Sequence, residues 1–223
     1  MVSEETRILI ADDSPFIRTA YTRILETQDD FNVVSIAENG LQAVDQASEL
    51  KPDVIVMDIR MPELDGISAS HKIREINPDT SVVVVSAYEG WSYVFDLIRK
   101  DPEGKAYILK NSLDDIGELI RVVELVNKGH FVLDHVLSSR LNEYHERHPD
   151  EGAAHLEQPE FEVLSLLTEG FTYREIESTL KMDDAEIEGF LVSAAEKLGV
   201  DSIEGARGQA QISGAFLQNN VSI

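Results

Sequence analysis

Carboxylate side chains follow two apolar segments of this chain, at positions where a metal or phosphoryl site could form. Residues 54–57 form a run typical of a buried parallel strand, and Asp58 comes directly after it. Residues 8–11 form a similar run, which precedes Asp12 and Asp13. Ligands of open α/β sheets bind at the carboxyl ends of the strands, so these carboxylates are expected to meet there. Because crowded carboxylates repel each other unless a cation lies among them, this pattern predicts Mg²⁺-assisted phosphoryl chemistry with a nucleophilic Asp58.

Two further apolar runs end in side chains that suit the same chemistry. Residues 82–85 are four valines and are followed by Ser86, whose hydroxyl can donate to a phosphoryl oxygen. Residues 106–109 are followed by Lys110, a point charge that suits a phosphate. A lone Asp after a strand is more often a turn residue or a helix N-cap. Acids, hydroxyl and ammonium at four successive strand ends instead favour a phosphoryl site.

Residues 5–130 resemble the receiver domain of bacterial two-component response regulators. The stretch Asp58-Ile-Arg-Met-Pro-Glu-Leu-Asp-Gly66 matches the phosphoacceptor motif of that family closely. The resemblance implies that Asp58 accepts phosphate from a sensor histidine kinase. It implies Mg²⁺ ligands at Asp12, Asp13, Asp58 and the backbone carbonyl of Arg60. It also implies phosphoryl contacts from Ser86 and Lys110, and an aromatic switch residue at Tyr107.

One segment departs from the family pattern. Receiver domains usually carry a short turn rich in Gly and Ala before the switch aromatic. This chain instead has Arg99-Lys-Asp-Pro-Glu-Gly-Lys105, and the spacing from Ser86 to Lys110 is longer than in the family. The loop that precedes the switch residue is therefore altered, and coupling to a partner surface is expected to differ.

Strand and helix patterns alternate along the first part of the chain. Strands are predicted over 7–11, 32–36, 53–57, 81–85 and 106–109. Helices are predicted over 14–28, 39–50, 65–76, 90–100 and 112–128. Five such βα units predict an α/β doubly wound, parallel five-stranded sheet of the flavodoxin-like type, with the receiver domain spanning 1–130.

A connector is predicted over 131–155. Residues 132–144 have the pattern of a short helix, whereas 145–152 are polar and are broken by Pro149 and Gly152. Such a composition is typical of a flexible linker. His145 and His148 are therefore expected to be solvated loop residues.

The C-terminal part, 156–223, has the pattern of an all-α bundle. A first apolar helix stops at Gly170, a short helix spans Tyr173–Leu180, and a third spans Asp184–Leu198. This order predicts a helix-turn-helix. Residues 156–206 resemble the LuxR-type output domain of the NarL/FixJ class, mainly at the positions that build the bundle.

The DNA-facing positions of that family carry unusual residues in this chain. Asp183 lies at the start of the third helix, Glu186 replaces the usual Thr, Glu188 replaces Lys or Arg, and Phe190 replaces His. Residues 150–223 hold 15 acidic and 4 basic residues, a net charge of −11. DNA affinity depends on cations that neutralise phosphates, so binding of duplex DNA is doubtful. An exposed Phe190 would instead suit a protein interface.

Composition excludes other classes of protein. The chain has 223 residues, a formal net charge of −23 and no cysteine, which excludes disulfides and thiolate chemistry. No apolar run approaches the length of a membrane span, and the N-terminus does not resemble a signal peptide. We therefore expect a cytoplasmic protein with no membrane contact.

Three functions agree with these patterns. The first is a response regulator whose degenerate helix-turn-helix binds protein, as a homodimer or with a partner regulator. The second is a transcriptional regulator that binds DNA directly or as a dimer. The third is a phosphatase with an aspartyl nucleophile, which would need a second Asp where Arg60 stands, so we expect no enzyme.

Overall fold

A central parallel sheet organises the first half of the computed structural model, which describes residues 5–113, 116–148 and 155–221. The order of its strands is β2-β1-β3-β4-β5-β6. The strands are β1 (Thr6–Ala11), β2 (Phe31–Ala37), β3 (Val54–Asp58), β4 (Ser81–Ser86), β5 (Lys105–Leu109) and β6 (Val132–Leu133). The prediction of a doubly wound parallel sheet is confirmed, but the number of strands was wrong. A sixth strand of only two residues, too short to show a sequence period, pairs Val132 with Ala106 and Leu133 with Tyr107.

Five helices cover the two faces of the sheet and alternate with its first five strands. They are α1 (Pro15–Leu25), α2 (Gly40–Leu50), α3 (Gly66–Ile76), α4 (Trp91–Ile98) and α5 (Ile116–Asn127). Strands β3, β4 and β5 are buried along their whole length, and two separate apolar clusters fill the space on either side. Burial on both faces explains why these strands read as continuous apolar runs in the sequence.

The connector is more ordered than its composition predicted. Helix α6 spans His135–Arg147, and the side chain of Asp134 caps it by accepting a hydrogen bond from the backbone N–H of Val136. The expected solvated loop at His145 was wrong. The helix continues through this residue and packs its ring flat against Phe161, with the ring centroids 3.7 Å apart. Residues 149–152 of the predicted linker lie outside the described residues.

Over 155–221, four helices form the C-terminal domain: α7 (Gln158–Thr168), α8 (Tyr173–Leu180), α9 (Asp184–Leu198) and α10 (Gly205–Asn220). The helix-turn-helix of α8 and α9 is confirmed. Helix α10 was not foreseen, because its glycines and small residues weaken the apolar pattern. It nevertheless buries Ile212, Phe216 and Leu217. No helix within the described ranges is long and apolar enough to span a bilayer.

The two domains are packed directly against each other. Arg121 of α5 donates hydrogen bonds to the carbonyls of Glu169 and Gly170, which follow the last turn of α7. The long loop before β5 contacts α10, where Glu103 pairs with Arg207 at 3.3 Å. One continuous apolar cluster joins one face of the sheet to α7, α9 and α10. The altered loop therefore contributes to the contact between the domains.

Candidate functional site

The predicted site residues lie at the carboxyl ends of the parallel strands, and this end of the sheet is called the strand edge below. Asp12 follows β1, Asp58 is the last residue of β3, Ser86 is the last residue of β4, and Lys110 follows β5. All these strands are parallel, so their carboxyl ends face the same way. Four side chains that are far apart in sequence thereby meet at one edge.

Lys110 connects the two buried carboxylates of this edge. Its Nζ lies 3.0 Å from Oδ2 of Asp12 and 2.9 Å from Oδ1 of Asp58. Asp12 is 1% exposed and Asp58 is 8% exposed. Burial raises the pKa of Asp58 above its ordinary value, despite the hydrogen bond from Lys110. Burial alone would lower the pKa of Lys110, but its bonds to Asp58 and Asp12 outweigh burial and raise it.

The residues expected to hold Mg²⁺ fit that ion only in part. Asp12 and Asp58 present hard oxygen ligands, as Mg²⁺ prefers, whereas the side chain of Asp13 is exposed at the rim. Within 5–113, 116–148 and 155–221, no three acidic or histidine side chains are grouped closely enough to hold a metal ion. In this structure the ammonium of Lys110 lies between the two carboxylates instead. The oxygen set still suits a divalent cation.

Ser86 and Tyr107 meet at the backbone of Tyr88, a residue that the sequence analysis did not single out. The Tyr88 N–H donates to Ser86 Oγ at 2.9 Å, and the Tyr107 hydroxyl donates to the Tyr88 carbonyl at 2.6 Å. The guanidinium of Arg60 lies 4.4 Å from the centroid of the Tyr88 ring. The sequence signal that could have identified Tyr88 is its position, two residues after the Ser that ends β4. The loop after β4 is thus tied to both switch residues.

The acidic residues at the start of α9 have a structural role as well as a charge. The Glu186 N–H donates to Asp183 Oδ1, and the Asp183 N–H donates to Glu186 Oε2, both at 2.9 Å. This reciprocal pair is a capping box, which stabilises the helix start. Glu188 is exposed. The prediction that Phe190 is exposed was wrong, because its ring is half-buried and packs on the apolar core, whereas Val192 is exposed.

Comparison with known proteins agrees with this geometry. The family described as "Response regulator receiver domain" matches residues 8–124. The oxygen regulatory protein NreC of Staphylococcus haemolyticus is 33% identical over 204 residues, which cover 88% of this chain and 92% of the relative.

Two solved structures extend the comparison. The receiver domain of NarL from Mycobacterium tuberculosis is 28% identical, with a TM-score of 0.52, and covers 57% of this chain and 99% of that one. A structure of two RcsB dimers bound to two parallel DNAs is 27% identical, with a TM-score of 0.53, and covers 89% of this chain and 94% of that one. This chain is therefore a response regulator of the NarL/LuxR type.

Proposed function

We propose that Asp58 is the phosphoacceptor of this response regulator and that a sensor histidine kinase is the donor. The observation that carries the proposal is the buried Asp58 carboxylate at the strand edge, bonded to Lys110 and close to Asp12. A carboxylate oxygen of Asp58 attacks phosphorus, the bond from phosphorus to the donor nitrogen breaks, and the donor imidazole leaves.

The surrounding residues would stabilise the transferred group. Lys110 pairs with the added negative charge, and the hydroxyl of Ser86 donates to a phosphoryl oxygen. Asp12, Asp13, Asp58 and the carbonyl of Arg60 would hold Mg²⁺, which neutralises phosphoryl oxygens when bound. Asp58 must be ionised to attack.

Phosphate uptake from acetyl phosphate and Mg²⁺ tests this assignment. The parent protein should gain one phosphoryl group, and Asp58→Asn should gain none, because the amide cannot act as the nucleophile. Asp29→Asn is the matched control, since Asp29 is an exposed acid away from the strand edge. Uptake by Asp58→Asn at the parental rate would falsify the assignment.

We further propose that the output domain acts on a protein partner with a cationic surface, and not on duplex DNA through α9. A groove of about 340 Å³ lies between the exposed face of α9 and the loop that precedes α10. Its lining includes four acidic and three apolar side chains, those of Glu188, Glu196, Asp201, Glu204, Val192, Val200 and Ile203. A duplex would meet these carboxylates with its phosphates, whereas a basic and apolar protein segment complements them. The net charge of −23 opposes self-association through this face.

The alternative is regulation of transcription by DNA binding as a dimer, which the RcsB dimers bound to DNA support. Titrating the phosphorylated protein with labelled genomic duplexes, at roughly 50 to 200 mM salt, separates the two functions. The protein-partner proposal expects no binding over this range. It also expects the parent protein to bind a helical peptide rich in Lys and Leu. This binding should be lost in the variant Glu188→Lys. Tight, sequence-specific DNA binding that mutations in 183–197 abolish would establish the transcriptional function instead.

A further inference from the structure

A buried guanidinium lies behind the turn that carries Asp12 and Asp13. Arg18 of α1 is 8% exposed, and its Nη1 donates to the backbone carbonyls of Asp12 at 2.8 Å and of Asp13 at 3.1 Å. Its Nη2 donates to Oε1 of Glu38 at 2.7 Å. Burying a charged group is costly unless it is paired and hydrogen-bonded, and these three bonds meet that condition. Arg18 therefore binds the backbone of the two acids and leaves their carboxylates free for another cation.

The backbone of this turn determines where the two carboxylates point. Oδ1 of Asp12 accepts a hydrogen bond from the Ser14 N–H at 2.8 Å, and Oδ2 lies 3.0 Å from Nζ of Lys110. One oxygen of Asp12 thus holds the turn, while the other faces the strand edge. The side chain of Asp13 is exposed, so packing does not fix its position. Both acids depend on the turn for their orientation, and Arg18 holds that turn.

The residue that anchors the guanidinium connects the turn with the loop after β3. Glu38 lies between β2 and α2, and its side chain is 65% exposed. The next residue, Asn39, donates through Nδ2 to Oε1 of Glu63 at 3.4 Å. A Cβ at Gly40 would lie 2.1 Å from the Leu64 carbonyl oxygen, so the two loops are in direct contact. The guanidinium therefore ties the acidic turn to the loop that follows the phosphoacceptor.

We propose that Arg18 is a positioning residue of the phosphoryl site, which holds the turn of Asp12 and Asp13 in the conformation that Mg²⁺ requires. This inference rests on the proposed function, because Mg²⁺ at these acids is part of it. Loss of the guanidinium leaves two carbonyls without their donor, and the acids lose their alignment. Lys cannot replace Arg18, because a point charge lacks the planar fork that reaches two carbonyls and a carboxylate together.

Titrating the full-length protein with MgCl₂ alone, without a phosphodonor, measures this role directly. Backbone amide signals in nuclear magnetic resonance spectra report the affinity. Groups that orient metal ligands from behind typically change metal affinity by about 10- to 100-fold, so Arg18→Met should weaken Mg²⁺ binding by about 10-fold or more. Arg18→Lys, which keeps the buried charge, should also bind Mg²⁺ more weakly than the parent. It serves as the test if Arg18→Met does not fold.

Phosphate uptake from acetyl phosphate gives a second readout. The Mg²⁺ concentration that half-saturates uptake should rise in Arg18→Met by the same factor as the weakening of Mg²⁺ binding. Excess Mg²⁺ should restore most of the uptake, because the nucleophile Asp58 and the cation Lys110 are retained. A loss of uptake that no concentration of Mg²⁺ restores would contradict a role that acts through the metal ligands.

Controls separate failure of this inference from failure of the proposed function. Arg23→Met removes an exposed cation from the same helix and should keep the parental Mg²⁺ affinity. Glu38→Gln should have a smaller effect than Arg18→Met, because both carbonyl bonds remain. If Arg18→Met is less stable to urea but binds Mg²⁺ as tightly as the parent, Arg18 is only structural, and the inference is overturned while the proposed function stands. If the parent itself does not bind Mg²⁺, the proposed metal ligands are wrong, and the positioning role fails with them.

Discussion

The strand edge around Asp58 and the exposed face of α9 differ in how far their residues agree with the family pattern. At the strand edge, the side chains of the predicted phosphoryl site match the family pattern, and they lie at the strand ends as the sequence predicted. In α9, the residues that fold the helix agree with the family, as the buried Ile187 and Leu191 show, but the exposed ones do not. A scaffold and the surface that it presents can therefore change independently. The predictions below test each side of this comparison.

One buried carboxylate links two helices of the output domain. Glu160 of α7 is 2% exposed, and it accepts hydrogen bonds from Lys197 and Ser193 of α9. Burial alone would raise the pKa of Glu160, but these bonds outweigh it and hold the pKa below its ordinary value. A buried ion pair is costly to break from one side. Glu160 therefore joins the first and third helices of the bundle.

Removing this carboxylate should give the largest loss of stability. Glu160→Ala should lower the free energy of unfolding by roughly 3–5 kcal/mol at neutral pH, measured by urea denaturation. The folded pKa is depressed, so the contribution of Glu160 is present above the unfolded pKa and is lost as pH falls through the folded value. The difference between parent and variant should therefore shrink in acid. Glu162→Ala, whose side chain pairs with Gln158 within α7, is the control. Equal effects of both substitutions would show that the pair with α9 contributes nothing.

The sequence predicted the strand edge well because each of its residues follows an apolar run whose length and bounds are visible. It failed where an element is defined only by what it packs against. Val132 and Leu133 form a strand because β5 has a free edge beside them, and two residues have no period of their own. His145 reads as a linker residue, yet α6 extends to meet Phe161. Tertiary contacts therefore determine both the short strand β6 and the last turn of α6. The local sequence of these segments contains no pattern that predicts either element.

The altered segment 99–105 ends in a buried cation, the first residue of β5, which tests the receiver side. Lys105 is 1% exposed, and its Nζ donates to the carbonyls of Leu97 and Asp101. Burial lowers the pKa of Lys105 to about 8, although Asp101 opposes this effect. Between that value and the unfolded value of roughly 10.4, the unfolded chain binds more protons, so parental stability rises with pH.

Lys105→Met should remove this dependence. Relative to the variant, the parent should gain about 3 kcal/mol of unfolding free energy between pH 7 and pH 11, since each pKa unit corresponds to about 1.4 kcal/mol. Thermal and urea unfolding across this pH range measure the gain. Lys100→Met removes an exposed cation from the same loop and should leave the pH slope unchanged. A slope that both variants share would mean that Lys105 does not carry it.

Changing the surface of α9 alone should recover part of the family's binding. The double variant Glu186→Thr with Glu188→Lys, which leaves the half-buried Phe190 in place, should bind duplex DNA weakly and without sequence preference. Each new phosphate contact should add about −0.9 to the slope of log affinity against log salt, measured by fluorescence anisotropy. Because Glu186 closes a capping box, and Thr cannot reproduce its hydrogen bond to the Asp183 N–H, Glu188→Lys alone is the control that leaves the helix start intact. No binding by either variant would mean that the scaffold itself does not fit the groove.

The smallest expected effect concerns Gly189, which lies on the exposed side of α9. A Cβ at this position would meet no atom within 4 Å, so Ala fits without strain. Gly in a helix interior costs up to about 1 kcal/mol relative to Ala, and Gly189→Ala should raise the free energy of unfolding by that amount. Gly208 of α10 is the contrasting site, because a Cβ there would lie 2.5 Å from the Ile203 carbonyl carbon. Gly208→Ala should therefore destabilise, despite the same gain in helix propensity. If Gly189→Ala failed to stabilise while Gly208→Ala destabilised, helix propensity would not limit the stability of α9 at this position.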